Sequence, residues 1–169
     1  MNIALIGYGK MGKEIEQIAL SRGHKIALIV DAHNASSYSV EELKKADVAI
    51  EFSTPDSALG NIYKCFDAGV PVVVGTTGWL NKLEEVKKTC TDKNQTLFYT
   101  SNYSIGVNLF FKLNQQLAKL MNRHKEYNVS MEEIHHVHKL DAPSGTAISL
   151  ANQVLENIDE KKKWVNAVT

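Results

Sequence analysis

The chain has 169 residues, 44% of them hydrophobic and 22% charged, which is ordinary for a soluble globular protein of one domain or slightly more. Its 19 basic and 19 acidic side chains cancel, which argues against a nucleic-acid or anionic-membrane partner held by bulk charge. No apolar run approaches the roughly 18 residues that cross a bilayer, the N-terminus lacks signal-peptide features, and Cys65 and Cys90 form no CxxC motif, so we expect a cytoplasmic protein with reduced thiols.

The first part of the chain alternates short apolar runs with helical patterns. The spacing predicts strands at 2–7, 25–30, 47–52, 70–76 and 96–101, and helices at 10–22, 55–69 and 80–93. The polar stretch between the second and third strands predicts only a helical turn or two near its end. Near-continuous apolar strands separated by helices are typical of a parallel sheet covered on both faces. We therefore expect the α/β class, with a Rossmann-type doubly wound parallel sheet.

The pattern changes after the fifth predicted strand. A longer helix is predicted over 105–126, residues 128–136 alternate like a strand with one buried face, and a last helix is expected over about 144–162. We place the boundary so that 1–104 form a dinucleotide-binding domain and 105–169 form part of an α+β substrate domain.

A glycine motif lies between the first predicted strand and the first predicted helix. Gly7, Gly9 and Gly12 fit GxGxxG, with Lys10 and Met11 inside the motif. Glycines permit the tight turn there and let the backbone approach a pyrophosphate, whose charge is stabilised at the helix N-terminus. The motif therefore predicts a dinucleotide site, and the alternative is a Rossmann-like domain that has lost its ligand.

Asp31 ends the second predicted strand, 19 residues after Gly12. An acidic side chain there can accept hydrogen bonds from the adenosine ribose hydroxyls and would repel a 2′-phosphate. Lys10 lies inside the glycine loop, where its charge could partly offset that repulsion. We expect NADH to be the preferred cofactor and NADPH to be tolerated.

Two further loops follow strands at the same predicted edge of the sheet. Ligands of open parallel sheets bind beyond the carboxyl ends of the strands, so the loop after the most β-rich run could face the nicotinamide end. The alternative is that these are short loops with good turn residues and no ligand. The residues concerned are Gly75, Thr76 and Thr77 in one loop and Ser101, Asn102, Tyr103 and Ser104 in the other.

Residues 132–147, EEIHHVHKLDAPSGTA, combine three histidines with a lysine and a Ser-Gly-Thr turn. A metal site using His136 and His138 is one interpretation, but neither a cysteine nor a zinc-type spacing supports it. A solvated surface turn is another. Acid–base chemistry fits better, because reduction by a nicotinamide delivers hydride to one atom and requires a proton at its neighbour, which a histidine can donate near neutral pH.

Anion-binding groups follow the histidines. Lys139 can hold a carboxylate or stabilise developing negative charge. Ser144, Gly145 and Thr146 open the last helix, where free amides, hydroxyls and the helix dipole form an anion site. This combination predicts a small substrate with more than one carboxylate.

The stretch from Glu133 to Ala147, E-x-H-H-x-x-K-x-D-A-P-S-G-T-A, closely resembles the signature of the 4-hydroxy-tetrahydrodipicolinate reductase family. The glycine loop, the GTTG loop and the SNYSIGV segment occur in the same order as in that family, so the resemblance covers most of the chain. It implies an NAD(P)H-dependent enzyme of lysine and diaminopimelate biosynthesis. Its substrate would be the cyclic dicarboxylate 4-hydroxy-tetrahydrodipicolinate, converted to tetrahydrodipicolinate with loss of water.

The resemblance also implies roles for individual residues. His135 is similar to the family's proton donor and Lys139 to its catalytic partner, and His138 is at most a supporting contact. His136, Gly145 and Thr146 would hold the substrate carboxylates. Both loops after the strands, Gly75 to Thr77 and Ser101 to Ser104, would lie beside the nicotinamide, and Asp31 would bind the ribose.

Members of the family usually run considerably further than this chain. The resemblance implies a homo-oligomer, a tetramer in the family, whose interface strands would be missing here together with the segment that returns to the nucleotide domain. We expect a fragment, or a shortened protein that assembles differently, with weak or no turnover by the isolated chain. The alternatives are another NAD(P)-dependent amino-acid dehydrogenase and a module that binds the nucleotide without catalysis.

Overall fold

A computed structural model describes residues 1–100, 102–137 and 142–166 of the chain. The chain divides into two compact units, Met1–Thr100 and Ser101–Thr169, and each is described by itself. Among the described helices, none is both long and apolar enough to cross a membrane.

The first unit contains five strands, β1 (Asn2–Ile6), β2 (Lys25–Val30), β3 (Val48–Glu51), β4 (Val72–Val74) and β5 (Leu97–Tyr99), and four α-helices, α1 (Lys10–Ser21), α2 (Val40–Leu43), α3 (Pro55–Ala68) and α4 (Leu83–Asp92). The strands form a wholly parallel sheet with the order β2-β1-β3-β4-β5. This confirms the predicted α/β class and Rossmann-type sheet. The short polar stretch before β3 forms one helical turn, as expected, and a 3₁₀ turn at Leu80–Lys82 precedes α4.

Strand β1 lies between β2 and β3 and is buried on both faces, because helices cover both sides of the sheet. Ile3 and Leu5 pack with Ala19 of α1 on one face, whereas Ala4 and Ile6 belong to a larger apolar cluster on the other. That larger cluster includes side chains from α2, α3, α4 and β4. The side chains of β1 therefore alternate between two cores, one on each face of the doubly wound sheet.

The turn after β1 depends on very close backbone contacts. Gly7 has φ +95°, and a Cβ built there would lie 2.0 Å from the Phe52 carbonyl oxygen at the end of β3. A Cβ at Gly12 would lie 2.3 Å from the Gly7 carbonyl oxygen. Side chains at these two positions are therefore sterically excluded, and α1 can begin directly beside the ends of β1 and β3.

The described residues of the second unit contain two helices, α5 (Ile105–Met121) and α6 (Gly145–Asn157). The Asn114 amide on α5 donates to the Leu150 carbonyl on α6 at 3.1 Å and to the Gln153 side chain at 3.0 Å. Both helices end earlier than predicted, at 121 instead of 126 and at 157 instead of 162.

The strand predicted at 128–136 is wrong, because these residues form no strand. Alternation of apolar and polar residues indicates only that one face could be buried, and a strand also needs a neighbour for its backbone hydrogen bonds. Within the described ranges, this segment pairs with no other strand. Its apolar side chains are consequently exposed, with Ile134 85% and Val137 93% accessible.

Gly12→Ala and Gly60→Ala test the close approach at the glycine loop. Both glycines lie within helices, where alanine is the better helix former by about 1 kcal/mol. A Cβ at Gly60 meets no described atom within 4 Å, so we expect Gly60→Ala to raise the free energy of unfolding slightly. Gly12→Ala should lower it by about 2 kcal/mol or more, because the new methyl must displace the Gly7 carbonyl. Urea unfolding measures both, and equal effects would contradict the contact.

Candidate functional site

The three glycines of the loop have different surroundings. Gly7 and Gly12 are enclosed by backbone atoms, whereas a Cβ at Gly9 would meet nothing within 4 Å among the described residues. Gly9 is also the N-cap of α1 and offers no side chain to cap the first amides of that helix. The open space and the uncapped helix N-terminus fit a pyrophosphate. Lys10 and Met11 occupy the first turn of α1 and are exposed.

Asp31 follows the last residue of β2, as the sequence predicts, and is half-buried. Its Oδ1 atom accepts hydrogen bonds from the backbone amides of His33, at 2.8 Å, and Asn34, at 3.3 Å. In the part of the chain that the structure describes, Oδ2 has no hydrogen-bond partner. One oxygen is therefore occupied by a local turn, and the other can accept hydrogen bonds from a ligand.

The loops after β3 and β4 contact each other. The Ser53 amide donates to the Thr76 hydroxyl at 2.8 Å, and the indole N–H of buried Trp79 donates to the Thr76 carbonyl at 2.8 Å. A Cβ at Gly75 would lie 2.1 Å from the Phe52 ring. The sheet thus brings Gly75, Thr76 and the neighbouring Thr77 to the edge where Gly7 lies.

A buried carboxyl group that the sequence interpretation missed lies behind this edge. Glu51, the last residue of β3, is fully buried. Its Oε1 atom accepts hydrogen bonds from the Ser53 backbone amide at 3.2 Å, from the Ser53 hydroxyl, and from the side-chain Nδ2 atom of Asn61 at 3.2 Å. Within the described ranges its Oε2 atom has no partner. An acidic residue inside the apolar run DVAIEF was the available sequence signal.

The network continues away from Glu51 into the core. The Tyr38 hydroxyl donates to the side-chain Oδ1 atom of Asn61 at 2.7 Å. Both polar atoms of the Asn61 side chain are therefore hydrogen-bonded. Burial raises the pKa of Tyr38, and burial, with a smaller contribution from the charge of Glu51, raises the pKa of Cys65 to about 12. The Cys65 thiol therefore stays protonated and unreactive at neutral pH.

The loop before α5 belongs to the second unit, and Ser101 lies outside the described residues. Asn102 accepts the Ser104 amide through Oδ1 at 2.8 Å, and the Ser104 hydroxyl accepts the Val107 amide at 3.4 Å as the N-cap of α5. Tyr103 is partly exposed. The described polar groups of this loop therefore fix the start of α5, and their contact with a cofactor stays a prediction.

Glu133 joins the histidine segment to the start of α6. Its Oε2 atom lies 2.8 Å from His135 Nε2, and its Oε1 atom accepts the Ser144 amide at 2.8 Å. Hydrogen bonds from the Ser144 hydroxyl and amide, and then from His135, lower the pKa of Glu133 from 4.5 to about 2. Glu133 is therefore ionised throughout the neutral range and can stabilise a protonated His135 ring.

Two backbone amides at the start of α6 remain available. The Ser144 hydroxyl accepts the Ala147 amide at 3.0 Å as N-cap, and the Ser144 amide is already bonded to Glu133. Among the described residues, no acceptor meets the amides of Gly145 and Thr146, and a Cβ at Gly145 would meet nothing within 4 Å. These amides can bind a carboxylate at the positive end of the helix dipole.

The remaining predicted residues of this segment are less well defined. His136 is exposed and lies next to His135. Lys139 and His138 lie outside the described residues. Across the described ranges, no group of three or more histidine, cysteine or acidic side chains could hold a metal ion.

Comparisons with protein families match both parts of the chain. The family model described as "Dihydrodipicolinate reductase, N-terminus" matches residues 1–103. The family model described as "Dihydrodipicolinate reductase, C-terminus" matches residues 106–168. The chain belongs to the dihydrodipicolinate reductase family. This confirms the family predicted from the motif, whose members are NAD(P)H-dependent oxidoreductases of lysine and diaminopimelate biosynthesis.

Individual reductases of the family resemble the chain over nearly its whole length. The 4-hydroxy-tetrahydrodipicolinate reductase of Christiangramia forsetii is 47% identical over 97% of the chain and 68% of its own length. The Staphylococcus epidermidis reductase is 33% identical over 92% of the chain and 65% of its own length. The chain thus spans about two thirds of these relatives.

A solved structure of the family has the same fold. Dipicolinate-bound dihydrodipicolinate reductase from Paenisporosarcina sp. TG-14 superimposes with a TM-score of 0.74 at 23% identity. The match covers 100% of this chain and 71% of that reductase. It supports the arrangement of strands and helices described above.

The lowered pKa of Glu133 can be measured directly. A depressed pKa contributes stability above the unfolded value of 4.5, and this contribution is lost as the pH falls toward about 2. We expect the Glu133 carboxyl carbon to titrate near pH 2 by NMR. Ser144→Ala should raise this midpoint more than His135→Ala, because the Ser144 hydroxyl is the largest cause of the lowered pKa, although the backbone amide of residue 144 still bonds Glu133. A midpoint near 4.5 in the unsubstituted chain would contradict these contacts.

Proposed function

We propose that this chain carries the catalytic site for NAD(P)H-dependent reduction of 4-hydroxy-tetrahydrodipicolinate, with His135 as the proton donor. The observation that carries the proposal is the Glu133 carboxylate, which bonds both His135 and the Ser144 amide. This carboxylate ties an acid–base group to a helix start with two available amides. The name of the relative that is 47% identical supports the substrate.

Binding of the cofactor involves residues of the glycine loop and of β2. The Gly9 turn and the first amides of α1 would hold the pyrophosphate, with Lys10 and Met11 alongside. Asp31 would accept the ribose hydroxyls through Oδ2, which favours NADH over NADPH. Bound NAD(P)H supplies the hydride. Gly75, Thr76 and Thr77, and Ser101, Asn102, Tyr103 and Ser104, are the proposed contacts near the nicotinamide.

His135 has the hydrogen bonding that a proton donor needs. Its Nε2 atom is bonded to the ionised Glu133 carboxylate, which leaves Nδ1 for the substrate. When the ring is protonated, Nε2–H donates to Glu133 and Nδ1–H can be transferred. After transfer the neutral ring keeps its proton on Nε2, so Glu133 selects the tautomer as well as stabilising the charge.

Two carboxylates of the substrate require two binding regions. The amides of Gly145 and Thr146 form one, and His136 is a proposed neighbour of the same carboxylate. Lys139 is the proposed partner of His135, because an ammonium group can offset the negative charge of the substrate. We also propose a homo-oligomer and a cytoplasmic location, where the thiols of Cys65 and Cys90 stay reduced.

A chain that binds the nucleotide with little turnover is the second candidate. The observation in its favour is the lack of strand structure at 128–136, the segment that contains the proposed proton donor His135. A catalytic histidine on an exposed irregular segment is held less rigidly than one on a strand. The two candidates predict the same nucleotide binding and differ only in turnover.

His135→Ala separates proton donation from nucleotide binding. We expect NADH oxidation in the presence of the cyclic substrate to fall by about 10²–10⁴-fold, the usual contribution of a general acid. The dissociation constant for NADH, measured by fluorescence titration, should stay the same. His124→Ala is the matched control, since the His124 side chain is exposed and its ion-pair and ring contacts are with Glu126 and Tyr127. Turnover that survives His135→Ala would show that another group donates the proton.

Asp31→Ala tests the ribose assignment independently of catalysis. Loss of the carboxylate removes hydrogen-bond acceptors for the ribose hydroxyls of NADH, and it also removes the repulsion of the 2′-phosphate of NADPH. We expect NADH affinity to fall about tenfold, with NADPH affinity unchanged or higher. Equal losses for both cofactors in calorimetric titrations would refute the assignment.

A further inference from the structure

The side chain of Asn34 bonds to the outer edge of β2. This strand lies at one edge of the sheet and, within the described residues, pairs with β1 alone. On that side the Val30 carbonyl accepts the Gly7 amide at 2.8 Å. On the opposite side, the Asn34 Nδ2 atom donates to the Ile29 carbonyl at 2.9 Å, and Oδ1 accepts the Asp31 amide at 2.8 Å. One side-chain amide thus satisfies two backbone groups that would otherwise lie at a free edge.

This pair of hydrogen bonds has the pattern of a parallel strand. In a parallel ladder, one peptide group donates to the carbonyl of residue i−1 and another accepts the amide of residue i+1 on the neighbouring strand. The Asn34 side-chain amide makes both kinds of hydrogen bond, with the residues before and after Val30. Its orientation follows from chemistry, because its carbonyl oxygen faces an N–H and its NH₂ faces a carbonyl. The strand geometry of β2 is therefore extended as far as Asp31.

Asn34 also fixes the Asp31 carboxylate. The backbone amides of His33 and Asn34 both donate to Asp31 Oδ1, so the carboxylate is held by the same turn that Asn34 anchors to β2. Because both the backbone amide and the carboxylate of Asp31 are hydrogen-bonded, the carboxylate has little freedom to rotate. Its Oδ2 atom is then directed by the turn and not by solvent.

We propose that Asn34 is a positioning residue that sets Asp31 for ribose recognition and so determines the preference for NADH. The inference rests on the proposed role of Asp31. A fixed carboxylate binds a ribose diol without an ordering cost, and it cannot rotate away from the 2′-phosphate of NADPH. A mobile carboxylate loses both advantages, so selectivity falls even though Asp31 itself is unchanged.

Asn34→Ala is the decisive substitution, with Ser36→Ala as the matched control in the same exposed turn. We expect the dissociation constant for NADH to rise about three- to tenfold, equivalent to one or two net hydrogen bonds. The constant for NADPH should stay the same or fall, because a carboxylate that is free to rotate repels the 2′-phosphate less. Ser36→Ala should leave both constants unchanged. Asn34 is half-buried and belongs to neither core cluster, so the variant should fold, which thermal unfolding will verify.

Two further measurements identify the mechanism. Hydrogen exchange of the Asp31 amide should accelerate in Asn34→Ala without any cofactor present, since its acceptor is removed. In the Asp31→Ala background, adding Asn34→Ala should leave the ratio of NADH to NADPH affinity unchanged, because Asn34 acts through Asp31. An unchanged exchange rate, or an equal loss of NADH affinity in both backgrounds, would overturn the inference.

These results distinguish the inference from the function on which it rests. If the unsubstituted chain binds neither nucleotide, the proposed function and this inference both fail. If it prefers NADH and Asp31→Ala abolishes that preference, but Asn34→Ala does not reduce it, only the role of Asn34 fails. A purely structural role would lower the unfolding midpoint without changing the ratio of the two affinities.

Discussion

The backbone of Gly7 lies against the carbonyl of Phe52, and the proposed nucleotide site is organised around this contact. No side chain fits between them, so the exit of β1 crosses the end of β3 at van der Waals distance. The same proximity recurs between Gly12 and the Gly7 carbonyl, and between Gly75 and the Phe52 ring. Three loops that follow different strands are thereby gathered at one edge, and the start of α1 at Gly9 faces open space among the described residues.

The buried carboxyl of Glu51 supports that edge from below. Burying a carboxyl group is costly, and the cost is offset only when hydrogen bonds replace those lost from water. Glu51 receives them from Ser53 and Asn61, and Ser53 in turn donates its amide to the Thr76 hydroxyl. The polar network therefore connects β3, α3 and the loop after β4. Apolar packing alone would fix the relative positions of these three elements less strictly.

In the second unit, side-chain hydrogen bonds hold the described part of the histidine segment, which forms no strand. The segment containing His135 has neither helix nor strand structure, yet Glu133 fixes it to the Ser144 amide at the start of α6. The hydrogen bonds from Ser144 and His135 lower the pKa of Glu133, so the carboxylate stays ionised well below neutral pH. The same carboxylate bonds the His135 ring, so one ionised group supports both the proposed anion-binding helix start and the proposed proton donor.

Much of the fold and part of the site follow from the sequence because they depend on local spacing. Apolar runs and glycine spacing predicted the five strands, the helix after the glycine loop, and Asp31 at the end of β2, which are properties of neighbouring residues. The tertiary structure decided the strand order and which loops meet, because those depend on how distant segments pair. It also showed Glu51 and Asn34 bonding to partners across turns, and it left 128–136 irregular, because alternation predicts a face but only a paired neighbour makes a strand.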